Sequence, residues 1–250
     1  SLGTAITISG AAASPNMGYH SSPSVTLLMT LFNVRLGWWL GNPAKTHYGN
    51  PNKATYRRRD PRWSVRPLID EALGNTNDEY EYVYLSDGGH FDNLGLYEMV
   101  RRRCKFIIVS DASCDPECNF ESLGNAMRKV QSDLAVTIDL RDIQFFPKQD
   151  KDSQQKNRYC AVGRINYGHG EDGILIYIKP ALHELMPADV FNQSRSKSAF
   201  PHEPTSNQWF DESQFESYRR LGFEMVEHLF AGESPIPQAA QKEEPQNVHI

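Results

Sequence analysis

The residues of this chain with the greatest chemical potential stand together in one short segment, Tyr84-Leu85-Ser86-Asp87-Gly88-Gly89-His90-Phe91-Asp92-Asn93-Leu94-Gly95-Leu96. Asp87 follows Tyr82 to Leu85, a β-branched and aromatic run that reads as a strand stopping at a glycine turn. In an open α/β sheet, functional side chains gather outside the carboxyl ends of the strands, and Asp87 occupies such a place. Gly88 and Gly89 let the backbone turn away sharply and leave room for another segment beside the carboxylate. Taken alone, Asp-Gly-Gly is also common turn chemistry.

Other groups offer alternative chemistry. His90 could act as a histidine base or sit as a surface turn residue. Cys114 and Cys118, with Asp111 and Asp115, form half of a metal site, but structural zinc wants four ligands and the second half is missing. No metal and no other cofactor is therefore expected. Asp111 ends its own strand and could line the same sheet edge as Asp87, but reads first as a strand-end cap or a salt-bridge partner. A metal-dependent phosphotransfer site built on Asp87, Asp92 and Asp111 is a further reading, and it predicts sensitivity to chelators. Arg57-Arg58-Arg59 and Arg101-Arg102-Arg103 can meet anionic lipid headgroups or form solvated surface.

The elements that must hold these groups follow from pattern. Ala5 to Ser9 reads as a short strand opening into the small-residue run Ser9-Gly10-Ala11-Ala12-Ala13-Ser14. Ser22 or Ser24 can start a core helix through Val25, Leu28, Met29, Leu31 and Phe32. Asn42 to Arg62 reads as loop, and Pro67 to Leu73 as a short helix. Asn93 can cap a helix from Leu94 to about Arg103, and Asp92 and Asn93 would hold the Asp-Gly-Gly turn. Phe106 to Val109 has strand length, and a helix from about Phe120 to Ser132 follows it. This succession argues for parallel βαβ units and an α/β sheet.

Further on, Leu134 to Leu140 could be a strand, and Tyr159 to Ile165 with Ile174 to Ile178 form a strand pair around Gly168-His169-Gly170. Lys148 to Lys156 is a charged, Gln-rich loop. Phe215 to Phe230 reads as a closing helix with Tyr218, Leu221, Met225, Val226 and Leu229 on its apolar side. From Glu233 to Ile250 the Pro, Gln and Glu content suggests a disordered tail, leaving residues 1–232 as one domain without repeats.

Composition narrows the function classes. A chain of 250 residues with a formal charge of −5 has no global basic field to hold a nucleic-acid backbone, so nucleic-acid binding is not expected. The four cysteines, Cys104, Cys114, Cys118 and Cys160, are too few and scattered for a disulfide framework and read as free thiols of a reducing compartment. The apolar stretch Val25 to Leu40 is broken by Asn33 and Arg35 and falls short of the roughly 20 residues a membrane helix needs. Ser1 to Gly10 has neither a positive n-region nor an initiator methionine. The reading is a cytoplasmic or membrane-associated chain without a signal peptide, continued upstream of Ser1.

Three ordered segments carry a resemblance. Asp-Gly-Gly after a hydrophobic strand, followed by Asn-Leu, a helix and the strand Ile107-Ile108-Val109-Ser110-Asp111-Ala112, resembles the aspartate motif region of patatin-like phospholipases. Ile8 to Pro15 is similar to the small-residue segment that follows the nucleophile helix of that family. Ala199-Phe200-Pro201-His202 through Gln214-Phe215-Glu216-Ser217-Tyr218 resembles large bacterial members. The similarity spans Ile8 to about Phe230 and implies a layered helix-sheet-helix α/β domain with a mostly parallel sheet, incomplete at its N-terminus.

It also implies a Ser-Asp dyad, related to that of the cytosolic phospholipase A group. Asp87 would be the general base, with Gly88, Gly89 and Asn93 supporting it, and the substrate a lipid or phospholipid acyl ester met at a membrane surface. The family's Gly-x-Ser-x-Gly elbow and glycine-rich oxyanion loop are not in this sequence. Ser9 is the nearest imitation of the nucleophile, but the elbow needs Gly where the chain has Thr7 and Ala11. The nucleophilic serine is thus expected upstream of Ser1. The competing reading is a catalytically silent lipid-binding or scaffold module on the same fold.

Overall fold

The computed structural model describes residues 2–17, 21–45, 58, 60–141, 143–148, 158–183 and 186–230. The tail from Glu233, most of the loop Lys148 to Lys156, and Arg57 and Arg59 lie outside the described residues. The fold is mixed α and β, with seven α-helices and six strands among the described residues. The chain divides into two compact units, Ser1–Asn93 and Leu94–Ile250.

The first unit holds α1 (Leu2–Ser9), α2 (Pro23–Leu31), β1 (Trp38–Gly41), α3 (Val65–Ala72) and β2 (Tyr82–Leu85). Where a strand is expected over Ala5 to Ser9, the chain is helical. A short apolar run has no decisive period, and Thr7 Oγ1 turns back to donate to the Gly3 carbonyl at 3.0 Å, a bond that helical spacing allows. In α2, Ser22 holds the N-cap position and Pro23 opens the first turn. None of its residues is buried, so the expectation of a core helix is not met.

Strand β1, inside a stretch without strand punctuation, was not foreseen. It pairs antiparallel with β2, setting Trp39 opposite Tyr84 and Trp38 opposite Leu85. Buried Glu71 of α3 ties the helix to this ribbon: its Oε1 accepts from Trp39 Nε1 and Arg35 Nη1, each at 2.7 Å. An ion pair half shielded from water and shared with an indole N–H fixes orientation that a two-stranded ribbon lacks alone.

The second unit holds α4 (Leu96–Arg101), β3 (Phe106–Ser110), α5 (Glu121–Leu134), β4 (Thr137–Asp139), β5 (Cys160–Gly168), β6 (Glu171–Ile178), α6 (Ala188–Ser196) and α7 (Glu212–Phe230). Its sheet runs β3-β6-β5-β4, and only β3 with β6 is parallel. The expected mostly parallel sheet is therefore a mixed one. The cause is the β5–β6 hairpin, whose turn Gly168-His169-Gly170 has positive φ throughout and reverses the chain within the sheet. Ile107 and Val109 lie beside Leu175 and Tyr177 in register, and all four are buried.

Helix α5 presents Leu123, Ala126 and Val130 to this core at helical spacing, each fully buried large side chain contributing about 1.5–3 kcal/mol. Helix α7 buries Leu221, Met225 and Leu229 as expected, whereas Val226 is exposed. Helix α6, rich in Asn, Gln and Ser, was not foreseen. All four cysteines are free. No helix among the described residues is long and apolar enough to cross a membrane.

Candidate active site

Asp87 follows Ser86 just beyond the carboxyl end of β2, but β2 belongs to the two-stranded antiparallel ribbon and not to the open α/β sheet that the sequence reading supposed. Asp87 opens a 3-10 turn over Gly88–His90, and its own Oδ1 accepts the Gly89 N–H at 2.8 Å. The turn is closed by His90 N–H to the Asp87 carbonyl at 3.2 Å and by Phe91 N–H to the Gly88 carbonyl at 3.0 Å. Asp87 is half-exposed, and its Oδ2 takes no hydrogen bond from the described residues. One carboxylate oxygen is thus oriented by the backbone while the other carries no such restraint among the described residues.

Two further contacts dock the small-residue segment against this turn. Asp87 N–H donates to the Ala11 carbonyl at 3.3 Å, and His90 Nε2 lies 3.2 Å from the Ala12 carbonyl. A carbonyl only accepts, so Nε2 must carry a proton; Nδ1, 3.1 Å from Ser86 Oγ, then accepts from that hydroxyl when the ring is neutral. His90 therefore bridges two backbone segments, a positioning task that neither sequence reading of it anticipated. The polar residue at the end of a glycine turn was the only signal.

Asn93 and Gly89 fit each other. A Cβ at Gly89 would collide with Asn93 Oδ1 and lie 3.2 Å from Asp87 Oδ1, so the close approach requires glycine there. Nothing lies within 4 Å of the Cβ position of Gly88, where the space stays open. Asn93 does not cap a helix. Helix α4 starts later, at Leu96, behind Gly95 in the left-handed conformation with φ of 66°, and no side chain caps it.

Ser9 sits at the C-terminal end of α1, exposed, and not on a strand-to-helix elbow. That geometry removes the one feature that made it resemble a nucleophile.

In the second unit, Asp111 directly follows β3 and is locked. Its Oδ1 accepts Ser113 N–H at 2.9 Å, and its Oδ2 accepts from Tyr177 OH at 2.5 Å and Lys179 Nζ at 3.3 Å. Lys179 Nζ also reaches Ser113 Oγ at 3.2 Å and Asp115 Oδ2 at 3.6 Å. Burial opposes the charged form of Asp111, but the bonds from Ser113 and Tyr177 and the charge of Lys179 outweigh it and hold its pKa below the ordinary carboxylate range. The salt-bridge reading of Asp111 is the one the geometry carries. Lys179 and Tyr177 escaped sequence reading, although a lysine closing an apolar strand run was a usable signal.

Cys114 donates its thiol to the His202 carbonyl at 3.1 Å, and burial pushes the Cys118 thiol up to about 11. Among the described residues, no three His, Cys, Asp or Glu side chains gather as a metal-holding group. Arg101 and Arg102 fold back onto Glu98, each at 2.7 Å, and hold its carboxyl down at about 2; Arg103 reaches Glu171 at 2.8 Å. That arginine run serves its own surface carboxylates. Comparison of the chain with protein-family models, with curated proteins and with solved structures returned no match.

Proposed function

We propose that this chain is the aspartate-bearing part of a patatin-like lipid acyl ester hydrolase, with Asp87 as general base and the nucleophilic serine supplied by residues preceding Ser1. The observation that carries the reading is the divided carboxylate of Asp87: Oδ1 held by Gly89 N–H, Oδ2 carrying no such restraint among the described residues, at the end of a strand beside a segment of small residues. A serine hydroxyl is a weak nucleophile until a neighbouring base removes its proton. Asp87 takes that proton as serine Oγ attacks the ester carbonyl, and returns it to the leaving alcohol oxygen as the C–O bond breaks. Water then attacks the acyl-serine by the same proton path and releases the fatty acid. His90 has no part in the transfer, since both ring nitrogens are engaged with Ser86 and Ala12.

The test is labelling of the full-length parent with a fluorophosphonate, combined with assay of fatty-acid release from phospholipid vesicles. A single labelled serine preceding Ser1, together with acyl release, supports the dyad; the 250-residue chain by itself takes no label. Label on a serine within the chain, or a parent that releases no fatty acid, overturns it.

A further inference from the structure

The first unit contains a cavity of about 590 Å3 that the Asp87 chemistry does not use. Its size lies within the range of small-molecule sites. Helix α3, the segment leading into it and the segment leading into β2 form its wall, and the side chains divide into two kinds. Arg58, Arg62 and Arg66 supply guanidinium groups, while Asp70, Glu79 and Glu81 supply carboxylates. Between them stand the aromatic rings of Trp63, Tyr80 and Tyr82.

Three of these six charges, Arg58, Arg62 and Glu79, are left unspent among the described residues. Arg66 lies 3.7 Å from Asp70, a long and exposed pairing. Arg58 and Arg62 have no ion-pair or hydrogen-bond partner among the described residues, and the Glu79 side chain has none either. Trp63 is 74% exposed, unusual for the largest apolar side chain unless something covers it.

The balance of charge selects the ligand class. A simple anion would find the arginines but also the carboxylates, and a simple cation would meet the reverse. A zwitterion satisfies both. Guanidinium forks match phosphate oxygens in bidentate geometry, and a substituted ammonium is held over aromatic faces next to carboxylates. We infer that the cavity bounded by Arg62, Trp63, Glu79 and Tyr80 binds a phosphate ester carrying a substituted ammonium group, of the phosphocholine type, either as a lipid headgroup or as a soluble ester. This goes beyond the acyl hydrolase reading and does not depend on Asp87 being a base.

The experiment is calorimetric titration of the full-length protein with soluble phosphocholine, beside co-sedimentation with phosphatidylcholine vesicles. Inorganic phosphate and choline serve as separate probes. Arg62→Gln and Glu79→Gln alter exposed side chains, so both variants should unfold at the wild-type midpoint. Saturable phosphocholine binding that each variant weakens about tenfold is the expected result. Vesicle binding that phosphocholine displaces and the variants weaken identifies the lipid headgroup as the source; phosphocholine binding without vesicle binding identifies the soluble ester. An Asp87→Asn protein should bind as wild type does, which separates failure of this site from failure of the dyad. No saturable binding to either probe, binding of inorganic phosphate as tight as that of phosphocholine, or binding indifferent to both substitutions overturns the inference.

Discussion

Lys179 Nζ lies 3.3 Å from Asp111 Oδ2 with both side chains 1% exposed, joining the residue after β3 to the residue after β6. A buried pair of this kind adds little over a well-packed apolar pair, but removal of one partner strands the other charge out of water. Lys179→Met should therefore cost about 3–5 kcal/mol of unfolding free energy, and Asp111→Leu a similar amount. The double variant should lose much less than the two losses added. Urea unfolding of the four proteins measures this, and strict additivity would show that the pair is not coupled.

On the proposed dyad mechanism, Asp87→Asn in the full-length protein should lower ester turnover by about 10²- to 10⁴-fold, towards the upper end because that mechanism has no second base. Asn keeps the shape of Asp and can still accept the Gly89 N–H, so the unfolding midpoint should scarcely move. The control is Asp111→Asn, whose turnover per folded molecule should fall far less. Near wild-type rates for Asp87→Asn would remove the base assignment.

Gly89→Ala places a methyl group against Asn93 Oδ1 and 3.2 Å from Asp87 Oδ1. The Asp87 carboxylate should lose its orientation, and turnover should drop at least about tenfold for a displacement of this scale. Asn93→Ala on the same protein removes the obstructing oxygen and should recover part of the loss. A double variant no better than Gly89→Ala would mean that the asparagine does not shape the turn.

Acid should weaken the second unit in two stages. Burial lowers the pKa of His183, helped by the charge of His228, and burial with the charge of Lys179 lowers that of His202. Both groups stay neutral in the folded chain where the unfolded chain already binds protons, so stability present above about pH 6.5 should be lost as pH falls through their folded values. The depressed pKa of Asp111 acts lower: its contribution holds above about pH 3.9 and is lost below it. His183→Gln should flatten the first stage in unfolding curves measured across pH; an unchanged slope would assign that stage elsewhere.

Local pattern carried much of this architecture and then stopped at a definite limit. Tyr82–Leu85 and the hairpin strands were legible because β-branched runs ended at glycine, and α7 because its apolar residues recur at helical spacing. Strand partners were not legible. The order Tyr82–Leu85, helix, Phe106–Ser110 suggested neighbouring parallel strands, yet β2 pairs with β1 and β3 with β6. Pairing is decided by side-chain packing across long separations, which no window of sequence reports. At the site, Asp87 and its glycines were visible as a motif. The Ala11 and Ala12 carbonyls were not, because a backbone acceptor leaves no residue type to notice.

The parallel join of β3 to β6 also gives an expectation for the order of assembly. The β5–β6 hairpin, with only His169 and Gly170 between the paired Gly168 and Glu171, can close within microseconds, whereas β3 has no β6 edge to join until that strand is in place. Only when β3 docks do Asp111 and Lys179 leave water, and they do so together. A clasp completed at that step should act as a late lock, and Lys179→Met should then speed unfolding more than it slows folding, which stopped-flow measurements in urea would show.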